Sequence, residues 1–142
     1  MLDQGLLHLL QQRAQRPQHT VLTPHPLEAA RLLGSSTSAV QADRLASAQA
    51  LATLTQSCVV LKGAGSVIAC AHGLPHINPT GNARLSTAGS GDVLAGMMGA
   101  RMAQGLSAFD AACAAVAQHG QVADDWPIGE ALTASRLAQS LV

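Results

Sequence analysis

The run Cys58-Val59-Val60-Leu61 constrains the fold more than any other stretch of this chain. Four consecutive apolar residues are too few for a helix and show no alternation, so both faces of the strand they form must be covered. Such a strand is central and parallel, with helices on either side of its sheet. The flanking segments fit that arrangement. Thr20-Val21-Leu22-Thr23 reads as a second buried strand, stopped by Pro24 and Pro26. A helix then starts with Pro26 near its first position and Glu28 in its first turn, and it ends at Gly34. Ser36 to Ser38 offer caps for one longer helix reaching Thr55. Ser66 to Ala71 and Leu74 to Asn78 read as a hairpin around a two-residue His72-Gly73 turn, and Pro75 marks the returning strand as an edge. Further helices are expected over 91–104, closed by Gly105, and over 108–125 behind a Ser107-x-x-Asp110 capping box. Asp124-Asp125-Trp126-Pro127 breaks that helix, and a last one is expected over 129–141. A first helix is expected over 3–14, ended by Pro17. Strands alternating with helices make the chain α/β, with a mostly parallel central sheet.

The 142 residues suit one domain, and 48% apolar against 11% charged content supplies a core rather than disorder. Aromatic residues are 1% of the chain, so that core is built from Ala, Leu and Val packed closely. Eight basic and eight acidic residues cancel, and no basic stripe offers a surface for nucleic acid. No apolar run approaches the roughly 20 residues of a membrane span. Met1-Leu2-Asp3 lacks the basic start of a secretory signal, and Cys58, Cys70 and Cys113 are odd in number without C-x-x-C spacing. Reduced thiols in the cytoplasm are the expectation. His72 and His76 are four apart, but Gly73 and Pro75 keep them off a shared helix face, so no metal pair is expected.

Three segments carry chemistry. In Ala88-Gly89-Ser90-Gly91-Asp92, two glycines let the backbone approach a ligand closely just before a helix. Unpaired N–H groups at a helix start, aided by its dipole, suit a phosphate. Asp92 would repel that phosphate, so its chemical use is to take a proton from an attacking hydroxyl or to hold a metal ion; helix capping is the plain alternative. Lys62-Gly63-Ala64-Gly65-Ser66 follows the central strand, where open α/β sheets place their ligand loops. Its spacing is not that of a Walker A loop, and a simple strand-to-strand turn is the alternative. His25, between Pro24 and Pro26 at the other strand end, is a candidate substrate contact. Gly96 and Gly99 interrupt the helix after Asp92 and are expected to let it lie close against its neighbours.

Taken in order, Thr23-Pro24-His25-Pro26-x-Glu28-Ala29-Ala30, Val60-Leu61-Lys62-Gly63-Ala64-Gly65, Asn78-Pro79-Thr80-Gly81-Asn82 and Ala88-Gly89-Ser90-Gly91-Asp92-Val93-Leu94 resemble the ADP-dependent NAD(P)H-hydrate dehydratases. The resemblance runs from Leu2 to the last helix. It implies a ribokinase-like three-layer sandwich, of which this chain resembles the C-terminal half. It implies repair of hydrated NADH and NADPH (NADHX and NADPHX) with ADP as phosphoryl donor and Mg²⁺ bridging the phosphates. It also implies nucleotide contacts at Lys62, Gly63, Ala64, Gly65, Ser66 and Gly91, a phosphate loop at Gly89, Ser90 and Gly91, substrate contacts at His25 and Asp92, and Asp92 as base. Leu27 stands where the family usually has Gly. Two other readings compete. One is a small-molecule kinase of the same superfamily. The other is a silent nucleotide-binding module, or one that forms homo-oligomers through an exposed sheet edge.

Overall fold

Two parallel strands bring their carboxyl ends together. In the computed structural model, which describes residues 19–141, β1 (Val21–Leu22) pairs with β2 (Cys58–Leu61), Val21 opposite Cys58 and Leu22 opposite Val59. The helix expected over 3–14 lies outside the described residues. β2 then pairs antiparallel with β3 (Val67–Ala69), and β3 with β4 (His76–Ile77), giving the order β1-β2-β3-β4. The one parallel pairing and the two antiparallel ones make the described sheet mixed.

Both faces of the sheet are covered, as the unbroken apolar run requires. Val59, Leu61, Val67 and Ala69 face one cluster with Ala29, Leu32, Val40, Ala48 and Leu51. These come from α1 (Pro26–Leu33), α2 (Thr37–Ala42) and α3 (Arg44–Thr55). Cys58, Val60 and Ile68 face the other cluster, with Leu94, Met97 and Met98 of α4 (Ser90–Ala103) and Ala112, Ala115 and Val116 of α5 (Ala108–Asp124). Strand residues alternate between the two clusters with the period of two that a pleat dictates. The result is helix, sheet, helix in three layers. No helix among the described residues is long and apolar enough to cross a membrane.

Several expected elements change in detail. The single helix through Thr55 is two helices, because Asp43 leaves helical geometry at φ −142° and ψ 85° and accepts the Ala46 N–H at 2.9 Å. An N-cap of this kind stabilises by about 1 kcal/mol, enough to start a new helix. The hairpin register, Val67 opposite Ile77 and Ile68 opposite His76, spans Cys70 to Pro75, wider than the expected two-residue turn. Pro75 has no N–H to extend the ladder. β4 is an edge strand, as Pro75 indicated. Ser107 caps α5 by accepting the Asp110 N–H, while the Asp110 carboxylate accepts from the Ser107 hydroxyl rather than closing a full capping box. The last helix, α6, is only Ala134–Gln139, begun by a Thr133 cap.

Candidate active site at the carboxyl ends of two parallel strands

The site forms where β1 and β2 end. The Lys62 N–H donates to the Pro24 carbonyl at 2.9 Å, tying the two strand ends together and setting Thr23-Pro24-His25 beside the Lys62–Ser66 loop. His25 is the N-cap of α1: its Nδ1 accepts the Glu28 N–H at 3.2 Å, and Glu28 Oε2 accepts the His25 N–H at 2.9 Å. Glu28 Oε1 lies 3.5 Å from His25 Nε2. The reciprocal bonds fix the ring that the flanking prolines had already restricted.

Two cavities meet at this place. The larger, about 580 Å³, is lined by His25, the whole Lys62–Ser66 loop, Asn78, Thr80 to Ala83, Leu85, Ser90, Gly91 and His119. The second, about 340 Å³, is lined by Val21 to Pro24, Glu28, Lys62, Gly91 and Asp92. Lys62 and Gly91 border both. A Cβ on Gly91 would sit 3.4 Å from Lys62 Nζ, so the ammonium rests against the first turn of α4. The residues named from sequence are therefore brought together around one cation and one helix start. His25 and Asp92, assigned to one ligand by the resemblance, stand in different cavities on either side of Lys62.

The loop before α4 divides its labour by residue. Gly89 takes φ +85°, a left-handed conformation that glycine adopts without strain. The Ser90 N–H donates to the Thr87 carbonyl, and the N–H groups of Asp92 and Val93 to the Gly89 carbonyl. Among the described residues the N–H groups of Gly89 and Gly91 have no acceptor, and of the two only Gly91 lines the cavities. Ser90 is buried, and its hydroxyl donates to the Leu85 carbonyl at 2.6 Å. The anion donor at the helix start is thus chiefly Gly91, and Ser90 holds the loop in place.

Sequence reasoning missed two anchors. His119 lies buried in the middle of α5 and its Nε2 hydrogen bonds the Ser90 carbonyl at 3.0 Å, which makes Nε2 the protonated nitrogen. Burial pushes its pKa below the ordinary histidine value, against a smaller opposing effect of that bond. Gly120 follows it, and a Cβ there would strike Thr80 Oγ1 at 2.1 Å and the Gly81 nitrogen at 2.8 Å. The His-Gly pair inside an otherwise Ala-rich helix was the available signal. The second anchor is Arg44, which begins α3 and has its pKa lowered by burial. It stands directly after the capping Asp43, but nothing in the residue pattern tied it to a loop eighteen residues away. The Asn78–Asn82 segment is held in turn by Asp124, whose carboxylate accepts from the Gly81 N–H at 2.8 Å and from Asn82 Nδ2 at 2.9 Å.

Gly96 and Gly99 do not mediate close packing among the described residues. A Cβ on either meets nothing within 4 Å. Met97 and Met98, one step from each, carry the buried face.

Comparison with known proteins gives a consistent picture. A family model described as NAD(P)H-hydrate dehydratase matches residues 1–142. The ADP-dependent (S)-NAD(P)H-hydrate dehydratase of Neisseria meningitidis is 49% identical over 104 residues, 73% of this chain and 35% of that protein. The bifunctional NAD(P)H-hydrate repair enzyme Nnr of Escherichia coli is 44% identical over 122 residues, 86% of this chain and 24% of that enzyme. A crystal structure of the ADP/ATP-dependent NAD(P)H-hydrate dehydratase of Bacillus subtilis, co-crystallised with ATP/Mg²⁺, superimposes with a TM-score of 0.76 at 34% identity, covering 85% of this chain and 45% of that one. A ribokinase-like superfamily protein of Enterococcus faecalis gives 0.70 at 28% identity, covering 99% and 49%. The chain spans about a third or less of the two curated relatives and about half of the two solved structures.

Proposed function

The chain belongs to the NAD(P)H-hydrate dehydratase family, and from that premise we propose that it carries the nucleotide-binding and base-bearing part of an enzyme that restores NADH and NADPH from their hydrates with ADP. Its fold is ribokinase-like. The observation that carries the proposal is the meeting of two cavities at Lys62 and Gly91, with Asp92 lining only the second.

That geometry suits a transfer between two bound molecules. The nucleotide occupies the larger cavity, against Lys62, Gly63, Ala64, Gly65 and Ser66. Its terminal phosphate lies at the junction, where the Lys62 ammonium and the Gly91 N–H supply positive charge. The hydrated nicotinamide occupies the second cavity, its ring hydroxyl toward Asp92. Asp92 takes the hydroxyl proton as the oxygen attacks phosphorus, and AMP departs with the electrons of the broken P–O bond. The ring C–O bond of the phosphorylated hydrate then breaks. Phosphate leaves with the electron pair, and a proton lost from the neighbouring ring carbon restores the double bond. His25, lining the larger cavity beside the Lys62 loop, contacts the hydrated dinucleotide where the two ligands meet.

Mg²⁺ fits as a companion of the nucleotide. No group of three His, Cys, Asp or Glu residues that could cage a metal is present among the described residues. Mg²⁺ bound through phosphates needs only one or two protein carboxylates and keeps several waters. Asp92 and Glu28 are the carboxylates lining the second cavity, and there the ion would neutralise phosphate charge. We place the enzyme in the cytoplasm, consistent with three free thiols at Cys58, Cys70 and Cys113. Self-association through the edge of β1, an end strand of the sheet among the described residues, belongs to the same proposal.

The test is recovery of dihydronicotinamide absorbance from hydrated NADPH with ADP and Mg²⁺. Recovery is expected with the intact enzyme to which this part belongs, and its loss in Asp92→Ala. Stable phosphate transfer to a sugar or alcohol instead would identify a kinase.

A further inference from the structure

Arg44 is the first residue of α3, and its guanidinium lies behind the Lys62–Ser66 loop rather than in the cavity that loop lines. It donates to three carbonyls: Leu61 at 3.1 Å and Gly65 at 3.4 Å from Nη2, and Lys62 at 3.5 Å from Nη1. Gln41 Oε1 accepts a further bond from Nη1 at 2.9 Å. A trans peptide points its carbonyl and the next N–H in opposite directions. Drawing the Lys62 and Gly65 carbonyls toward Arg44 therefore turns the N–H groups of Gly63 and Ser66 the other way, and both of these residues line the cavity. Gly63 is shaped to the same arrangement. Its φ is +149°, and a Cβ there would lie 2.6 Å from Arg44 Nη1. Among the described residues no carboxylate stands within ion-pair distance of Arg44. Its charge thus remains available to the loop.

We propose that Arg44 is a positioning residue for nucleotide binding, a guanidinium clamp that orients the backbone donors of the Lys62–Ser66 loop toward phosphate. The inference rests on the nucleotide reading of that loop. The guanidinium reaches the three carbonyls from two nitrogens of one rigid plane, a spread that the single nitrogen of an ammonium does not match, so lysine is a poor substitute.

The experiment titrates ADP into the whole chain by calorimetry, for the wild type, Arg44→Met, Arg44→Lys and Arg44→Ala. Arg44→Met keeps most of the apolar stem and removes every donor. It is expected to weaken ADP binding about tenfold or more, the scale of losing hydrogen bonds to a charged group. Arg44→Lys, which keeps both charge and stem and so protects folding, is expected to lose nearly as much. Methylguanidinium added to Arg44→Ala is expected to restore ADP affinity, and methylammonium at equal ionic strength is not. In turnover the KM for ADP rises, while the KM for hydrated NADPH stays within about twofold. ADP affinity unchanged in a folded Arg44→Met or Arg44→Lys overturns the inference alone, as does equal rescue by the two cations. Failure of the wild type to bind ADP overturns the nucleotide reading and the inference together.

Discussion

Substituting Gly120 by alanine tests whether α5 anchors the site loops by direct backbone contact. In an ordinary helix the change would stabilise by about 1 kcal/mol, since Ala propagates a helix better than Gly. Here the new methyl group would meet Thr80 Oγ1 at 2.1 Å, the Thr80 carbonyl carbon at 2.6 Å and the Gly81 nitrogen at 2.8 Å. The hydroxyl can rotate, but it then gives up its bonds to the Ala117 carbonyl and Asn78 Oδ1, held at 3.0 and 3.1 Å. For a partly exposed group that loss is about 1 kcal/mol. The backbone atoms cannot rotate away, so the loop must shift, an overpacking cost of about 2 kcal/mol. The balance is a destabilisation of about 2 kcal/mol, or a fall in melting temperature of about 8 °C at this chain length. Thermal denaturation followed by circular dichroism measures it. Gly96→Ala and Gly99→Ala serve as opposite-sign controls, because a Cβ at either position meets nothing within 4 Å among the described residues. Each should raise the melting temperature by up to about 4 °C. A Gly120→Ala chain that melts at or above the wild type would mean that α5 does not hold the Thr80–Gly81 backbone by direct contact.

Three further outcomes follow from named groups. Asp92→Asn should lower turnover by roughly 10²–10⁴-fold, the scale of a general base, while ADP without Mg²⁺ binds as tightly or more tightly because a carboxylate near phosphate is gone; calorimetry and steady-state rates separate the two. His119 has a folded-state pKa below its unfolded value of 6.5. The unfolded chain therefore takes up this proton first, so stability falls as pH drops below about 6.5, and His119→Gln should flatten that part of a melting-temperature profile. Cys58 is 2% exposed, with its thiol pKa pushed up chiefly by burial and further by Cys70. Native-state alkylation at pH 8, read by mass spectrometry, should leave it unmodified until the chain is unfolded.

The sequence was most legible where periodicity and local chemistry act alone. Cys58–Leu61 had to be buried on both faces, and it is. Pro26 and Gly34 mark the ends of α1 as short-range signals should, with Gly34 in the left-handed region at φ +62°. The three segments singled out for chemistry converge at one strand end because each sits at the carboxyl end of a strand or at a helix start. Less legible was whatever depends on partners distant in sequence. Asp43 could have continued a helix, and only the tertiary position of Arg44 shows why a break there is useful. Gly63 reads as part of a ligand loop or a plain turn, whereas its missing side chain makes room for the Arg44 guanidinium. Gly96 and Gly99 read as packing glycines and face open space among the described residues, whereas Gly120, which makes the close contact, carried no mark except the histidine before it. Separate cavities for His25 and Asp92 were equally invisible, since they depend on where Lys62 lies.

The most direct measurement follows the phosphorus. ADP labelled at its terminal phosphate is given to the chain with and without hydrated NADPH, and labelled products are separated. Labelled inorganic phosphate is expected only when the hydrate is present, formed in step with dihydronicotinamide absorbance, with little of either from Asp92→Ala even though it binds ADP. Labelled phosphate released equally by Asp92→Ala, or absorbance recovered while the label stays on ADP, would contradict a phosphoryl transfer across the junction of Lys62, Gly91 and Asp92.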